Sequence, residues 1–263
     1  MTLASRMVNS SIKNITRILC RVDDAQLARV PERGPLILVA NHVNFLEVPL
    51  VYTHLQPRPV TGFAKAETWD NPTMARLFDL WGAIPLRRGE VDMQALRRAL
   101  AALAAGHILA VAPEGTRSGD GRLQRGHPGV VLLAQQSGAP LLPVVYYGGE
   151  KLRPNLVRMR RTDFHIAVGH PFYLRTEEVK VDRVVRQQMT DEIMYQLAAL
   201  LPLAYRGHYS DLSAASETYL RFPPDSMSNL HWAFDRSEAD GTSILVPPDG
   251  LLKGEGSQPS LAQ

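Results

Sequence analysis

The sequence predicts an α/β fold: a central, mostly parallel sheet flanked by helices, with an N-terminal amphipathic helix and an irregular C-terminal tail. Three observations carry this. Short apolar runs bounded by Gly and Pro alternate with longer segments at helical spacing, which is the pattern of parallel strands joined by crossover helices. An amphipathic segment precedes the first apolar run. From Ser210 onward the periodicity gives way to Ser, Pro, Gly and Asp. The 263 residues therefore divide into a helix over 1–22, an α/β domain over 23–210 and an acidic, largely irregular tail over 211–263.

Residues 5–21 place Val8, Ile12, Ile15 and Leu19 at helical spacing, with Arg6, Lys13, Arg17 and Arg21 among the polar positions. Such a helix either lies on an anionic bilayer or docks on its own core. Cys20 belongs to this pattern as a packing residue; as the single cysteine it forms no internal disulfide. Residues 35–41 read as a buried strand and 45–55 as the helix after it. A strand over 59–67 precedes a helix over 71–82, where Asn71 caps and Pro72 occupies the first turn. Asp92 caps a helix over 92–106 that Gly106 closes. Strand 107–115, helix 127–138 and strand 139–148 follow. Pro143 marks an edge or bend in the last of these. A strand over 163–172 and a long helix over 179–202 complete the domain. Aromatics within 216–234 could dock on the body, and the final 20 residues read as flexible.

The net charge of +3 is unevenly placed. Residues 211–263 hold 8 acidic and 3 basic residues, net −5, which leaves residues 1–210 with net +8. A basic body suits anionic partners such as phosphate esters or anionic lipid. Nucleic acid fits poorly, because the basic residues are not interleaved with exposed aromatics. No apolar run reaches the roughly 18 residues of a spanning helix, and the N-terminus lacks the features of a signal peptide.

In an open parallel sheet, ligands sit beyond the C-terminal strand ends. His42 and Glu114 both fall there. The stretch "VANHVNFLEVPLV" (39–51) ends a strand on Asn41 and His42 and supplies Glu47 one turn later. A histidine exchanges protons near neutral pH, and a carboxylate on its other nitrogen holds the useful tautomer. The same spacing is also common as plain structure. In "VAPEGTRSGDG" (111–121) a strand delivers Glu114, Gly115, Thr116 and Arg117 into a loop. Arg117 offers a planar fork of donors to a phosphate, and Gly115 lets the backbone come close to a ligand. "GAIPLRRG" (82–89) adds Arg87 and Arg88 after Pro85. His127 and Arg125 follow the phosphate-type loop closely, while the Arg-rich run 156–161 reads as a solvated face or a headgroup patch. The motifs G-x-S-x-G, H-E-x-x-H and G-x-x-x-x-G-K-[ST] are absent.

Taken together, Asn41-His42-Val43-Asn44-Phe45-Leu46-Glu47, Gly82-Ala83-Ile84-Pro85-Leu86-Arg87, Ala112-Pro113-Glu114-Gly115-Thr116-Arg117-Ser118 and Leu142-Pro143-Val144 resemble the four ordered blocks of the glycerolipid acyltransferases of the 1-acylglycerol-3-phosphate acyltransferase type. The resemblance covers residues 10–210. It implies that His42 is a general base paired with Glu47. It also implies that Arg87 and the loop Glu114, Gly115, Thr116 and Arg117 hold the acceptor's phosphate. The reaction implied is acyl transfer from acyl-CoA or acyl-carrier protein, as co-substrate, to a lysophospholipid hydroxyl, with no cofactor and no metal. The setting implied is cytoplasmic, peripheral or monotopic at the anionic inner face of the cell membrane. Three residues depart from the family pattern: Glu47 replaces the usual Asp, Asn44 the usual Ser and Ala112 the usual Phe. The extra methylene of Glu47 moves its carboxylate by about 1.5 Å. These departures bear on substrate choice and activity, and a lipid-binding protein without turnover is the alternative expectation.

Overall fold

The computed structural model describes residues 3–89, 92–177 and 179–232. Helix α1 (Leu3–Leu19) leads directly into strand β1 (Cys20–Asp23). Strand β2 (Leu36–Ala40), helix α2 (Glu47–His54), strand β3 (Val60–Lys65), helix α3 (Pro72–Leu80) and strand β4 (Ile84–Leu86) follow. Then come α4 (Met93–Ala104), β5 (Ile108–Val111), α5 (Gly129–Ser137), β6 (Leu141–Tyr147) and α6 (Leu152–Val157). The last elements are β7 (Thr162–Val168), β8 (Tyr173–Leu174), α7 (Arg183–Leu200) and β9 (Leu220–Arg221). Strands β1 to β7 form one sheet in the order β1-β7-β6-β2-β5-β3-β4. Within it only β6 and β7 pair antiparallel. The mostly parallel α/β class is therefore observed.

Local chemistry explains the boundaries. The Asn71 side chain accepts from the backbone N–H groups of Thr73 and Met74, and Asp92 does the same for Gln94 and Ala95. Each satisfies N–H groups that have no partner within the helix. Strand β2 is buried at every position, as a strand covered on both faces must be. Ile37 and Val39 pack with α4, α5 and α7, while Leu36, Leu38 and Ala40 pack with α2 on the other face.

Several expectations are corrected. The first helix ends at Leu19, and Cys20–Asp23 pair with Thr162–His165 as an edge strand. The boundary expected between 22 and 23 thus falls inside β1. The apolar stripe of α1 also divides. Val8 and Ile15 are exposed together with Met7 and Ile18, while the buried positions are polar Ser5, Asn9 and Thr16. The Trp81 indole N–H donates to Asn9 Oδ1 at 2.9 Å, which explains how polar positions face the body. Pro143 is not at an edge. It lies in central β6, one residue beyond the β6–β7 ladder that starts at Val144 and Val168. Pro85 sits in the short edge strand β4 opposite Ala64.

The tail over 211–232 is largely irregular, with short 3-10 turns and the two-residue strand β9, and it docks on the body. There β9 pairs with β8, and the buried Glu192 carboxylate of α7 accepts from the Ser216 hydroxyl and from the Thr218 and Tyr219 N–H groups. Asn229 is fully buried against Gln196 and His170. The final 20 residues lie outside the described residues. Among the described residues no helix is long and apolar enough to cross a membrane.

Candidate active site

Strands β2 and β5 are adjacent and parallel, so the segments after Ala40 and Val111 leave the sheet at the same edge. Buried Asn41 continues the β2 ladder with its side chain. Its Nδ2 donates to the Tyr146 carbonyl and its Oδ1 accepts from the Tyr146 N–H, both at 2.8 Å. This ties the end of β2 to β6 just before His42 and fixes where the imidazole begins.

His42 Nδ1 lies 3.4 Å from Glu47 Oε2; the side chains are 21% and 4% exposed. The separation is slightly long for a hydrogen bond, as often holds before a ligand tightens such a contact. With Nδ1 turned to the carboxylate, Nε2 is left for the cavity. The Asn44 N–H reaches both Glu47 oxygens at 3.1 Å, so the acid is oriented by the turn that carries it. Asn44 shapes that turn: its Oδ1 accepts from the Leu46 N–H (2.7 Å) and its Nδ2 donates to the Gly149 carbonyl (2.7 Å). The departure at position 44 is thus a structural anchor.

Glu114 is buried beneath the site. Its Oε1 accepts from the His42 N–H and its Oε2 from the Gln124 N–H, both at 2.9 Å. Burial outweighs these bonds and pushes its carboxyl up to about 7. The Ser118 and Gly119 N–H groups donate to the His42 and Val43 carbonyls at 2.8 and 3.1 Å. The Glu114 side chain and the backbone of 118–119 therefore clamp the histidine segment from both directions.

His42, Glu47, Gly115 and Arg117 line one cavity of about 470 Å³. Its lining includes the exposed Lys65, Arg88, Arg117 and His127, the acid Asp92, and apolar side chains such as Val51, Phe63, Phe78, Leu86 and Leu96. Gly115 adopts φ 66°, left-handed backbone that favours glycine, and a Cβ there would stand 3.2 Å from the His127 ring, which would have to give by a few tenths of an ångström. Tyr52 lines this cavity and also a second one of about 640 Å³. Tyr52 is the residue common to both linings, and its ring stacks on Trp81 with centroids 4.7 Å apart and 6° between planes, which holds it between the two spaces.

The residues expected from sequence are thus partly gathered. His42, Glu47, Gly115 and Arg117 share the cavity. Glu114 serves as a brace and does not face an anion. Thr116 is exposed and does not line the cavity. Arg87 is also exposed and outside the lining; its neighbour Arg88 takes that place. The Arg87 N–H donates to Asp92 Oδ2, which sets the turn after β4. Asn41, Arg88 and Tyr52 were not singled out from sequence for these positions. The signal for Asn41 was its place beside His42, where a strand ends.

A family model described as Acyltransferase matches residues 21–147, from β1 to the end of β6. A chloroplastic 1-acyl-sn-glycerol-3-phosphate acyltransferase of Brassica napus is 28% identical over 144 residues, 53% of this chain and 41% of that protein. A lyso-ornithine lipid O-acyltransferase of Pseudomonas aeruginosa is 32% identical over 113 residues, 43% of each chain. The chain thus spans less than half the length of these two relatives. The crystal structure of the 1-acyl-sn-glycerophosphate acyltransferase PlsC from Thermotoga maritima shares the fold, with a TM-score of 0.55, 23% identity, and coverage of 72% of this chain and 78% of that one. The matched region holds the strand ends that carry His42, Glu47 and the 114–117 loop.

Proposed function

We propose that the protein transfers a fatty acyl group from a thioester donor, acyl-CoA or acyl-carrier protein, to the hydroxyl of a lysophospholipid of the 1-acylglycerol-3-phosphate type. The observation that carries this reading is the shared cavity: an acid-braced imidazole and a guanidinium open onto one apolar space. His42 Nε2 takes the acceptor's hydroxyl proton while that oxygen attacks the thioester carbonyl carbon. The C–S bond then breaks, and the departing thiolate takes the proton back from the imidazolium. Glu47 holds the Nδ1–H tautomer and stabilises the positive ring. Arg117, with Arg88 and His127 beside it, receives the acceptor's phosphate. The exposed apolar residues of α1, flanked by Arg6, Lys13 and Arg17, suit contact with an anionic bilayer, where such an acceptor resides. This corresponds to a peripheral or monotopic protein at the inner face of the cell membrane.

Incubation with mixed acyl donors and a panel of lysolipids, read by mass spectrometry, tests the reading; no acylated product from any pair contradicts it. The second reading is lipid binding without turnover. Glu47 in place of Asp and the 3.4 Å gap to His42 favour it, and vesicle binding with no product across the panel would establish it.

Two further outcomes are expected. Arg117→Ala raises the acceptor KM about 10- to 100-fold with kcat changed little, the size of a lost charged hydrogen bond. An unchanged KM removes Arg117 from the phosphate site. Tyr52→Ala opens the wall between the two cavities, so the product spectrum shifts to longer acyl chains. Each added methylene contributes about 0.8 kcal/mol when buried. An unchanged chain-length distribution contradicts Tyr52 as the barrier between the two cavities.

A further inference from the structure

The α6–β7 connection carries residues that the acyl-transfer chemistry does not use. Helix α6 closes in a Schellman arrangement: the Arg160 N–H donates to the Asn155 carbonyl (2.9 Å) and the Met159 N–H to that of Leu156 (3.1 Å). The residue that completes such a turn adopts left-handed backbone and is normally Gly or Asn. Here it is Met159 at φ 52°, the sole non-glycine with positive φ among the described residues. Left-handed backbone costs a residue that carries a Cβ. The Met159 side chain is 95% exposed, so packing within the protein offsets none of that cost. Leu156 and Val157 beside it are 54% and 81% exposed. A strained backbone presenting an apolar side chain to solvent points to a contact outside the chain.

The charges around the turn identify its kind. Residues 151–161 contain Lys151, Arg153, Arg158, Arg160 and Arg161 and no acid. Apolar side chains at a tip, ringed by cations, match a bilayer with anionic headgroups.

Topology sets the orientation. Strand β6 runs parallel to β2, so its C-terminal end lies at the edge that carries His42. Antiparallel β7 starts at that edge, and β1, in parallel register with it from Cys20 and Thr162, starts there too. The C-terminal end of α1, where Ile18 is 70% exposed, therefore reaches the same edge. Arg161 bonds the carbonyls of Arg17 and Cys20 at 2.5 and 2.7 Å and fixes the turn to that end of α1. Phe45, 61% exposed, stands between His42 and Glu47 in the chain, and Asn44 ties that turn to Gly149 just before α6.

We propose that the 156–161 turn is a membrane-insertion element for an anionic bilayer, acting with Ile18 and Phe45 to set the cavity edge against the lipid surface. It rests on the acyl-transfer reading only in taking a bilayer-borne acceptor as the reason for the contact. The test is co-sedimentation with vesicles of phosphatidylcholine alone and of phosphatidylcholine mixed with phosphatidylglycerol. Met159→Gly is the decisive variant: glycine relieves the backbone, so Tm holds or rises while binding to anionic vesicles falls. With Val157→Ser added, binding falls about tenfold. Arg158→Gln and Arg160→Gln each weaken it about fivefold on anionic vesicles and leave neutral vesicles unaffected. Unchanged partition in the Val157→Ser, Met159→Gly pair overturns the proposal. So does an equal loss on both vesicle types in the arginine variants. So does a change of oligomeric state in the Val157→Ser, Met159→Gly pair without loss of vesicle binding. Partition is read without turnover, so a protein that makes no product yet docks through this turn sinks only the acyl-transfer reading.

Discussion

His42→Ala is expected to lower kcat for acyl transfer about 10³-fold, within the range that a positioned general base supplies, while the protein stays folded. The fold is spared because the anchoring of residue 42 is through its backbone. Its N–H bond to Glu114 and its carbonyl bond from Ser118 survive in alanine. Glu47 likewise keeps both contacts to the Asn44 N–H. The check is kcat beside a thermal melt: near-wild-type turnover would end the base assignment, and a collapsed melt would make residue 42 structural.

Glu114→Ala is expected to cost stability on the order of 3 kcal/mol, a drop in Tm of roughly 10 °C, and to reduce turnover with it. The substitution strands the His42 and Gln124 N–H groups in a buried setting and frees the histidine segment from below. The same group gives a pH signature. Its folded-state carboxyl sits at about 7 against an ordinary 4.5, with burial as the main cause. A raised carboxyl means that the fold favours the neutral form. Its contribution is therefore present in full below the unfolded value and is lost as pH rises through about 7. Denaturant titrations at acid and mildly alkaline pH should show wild-type stability falling with pH across this window. The slope should shrink in Glu114→Gln; an equal slope in both proteins contradicts the buried-carboxyl account.

Much of this architecture is legible in the chain because local chemistry and fold agree. Asn71 and Asp92 cap the helices they precede, apolar runs become buried strands, and the blocks at 41–47 and 111–118 meet because their strands are neighbours. What the sequence hides depends on partners far along the chain. The polar side of α1 is buried because Trp81 waits to donate to Asn9, which no periodicity reveals. Glu114 looks like a ligand residue until its two backbone donors, at 42 and 124, are brought beneath it. Arg87 and Arg88 differ by one residue, and the direction in which the chain leaves the three-residue strand β4 decides which of them meets the cavity. Residues 211–232 read as loop because their order comes from Glu192, Gln196 and β8, not from their own propensities.

The central claim is that His42 and Glu47 work as one unit on an acceptor in a single cavity. A double-mutant cycle on kcat/KM, with His42→Ala, Glu47→Gln and the pair, addresses it most directly. The expected result is a double variant no slower than His42→Ala alone, since Glu47 acts only through the imidazole. Losses that multiply in the double variant would mean that the two side chains act independently, and the account would be wrong.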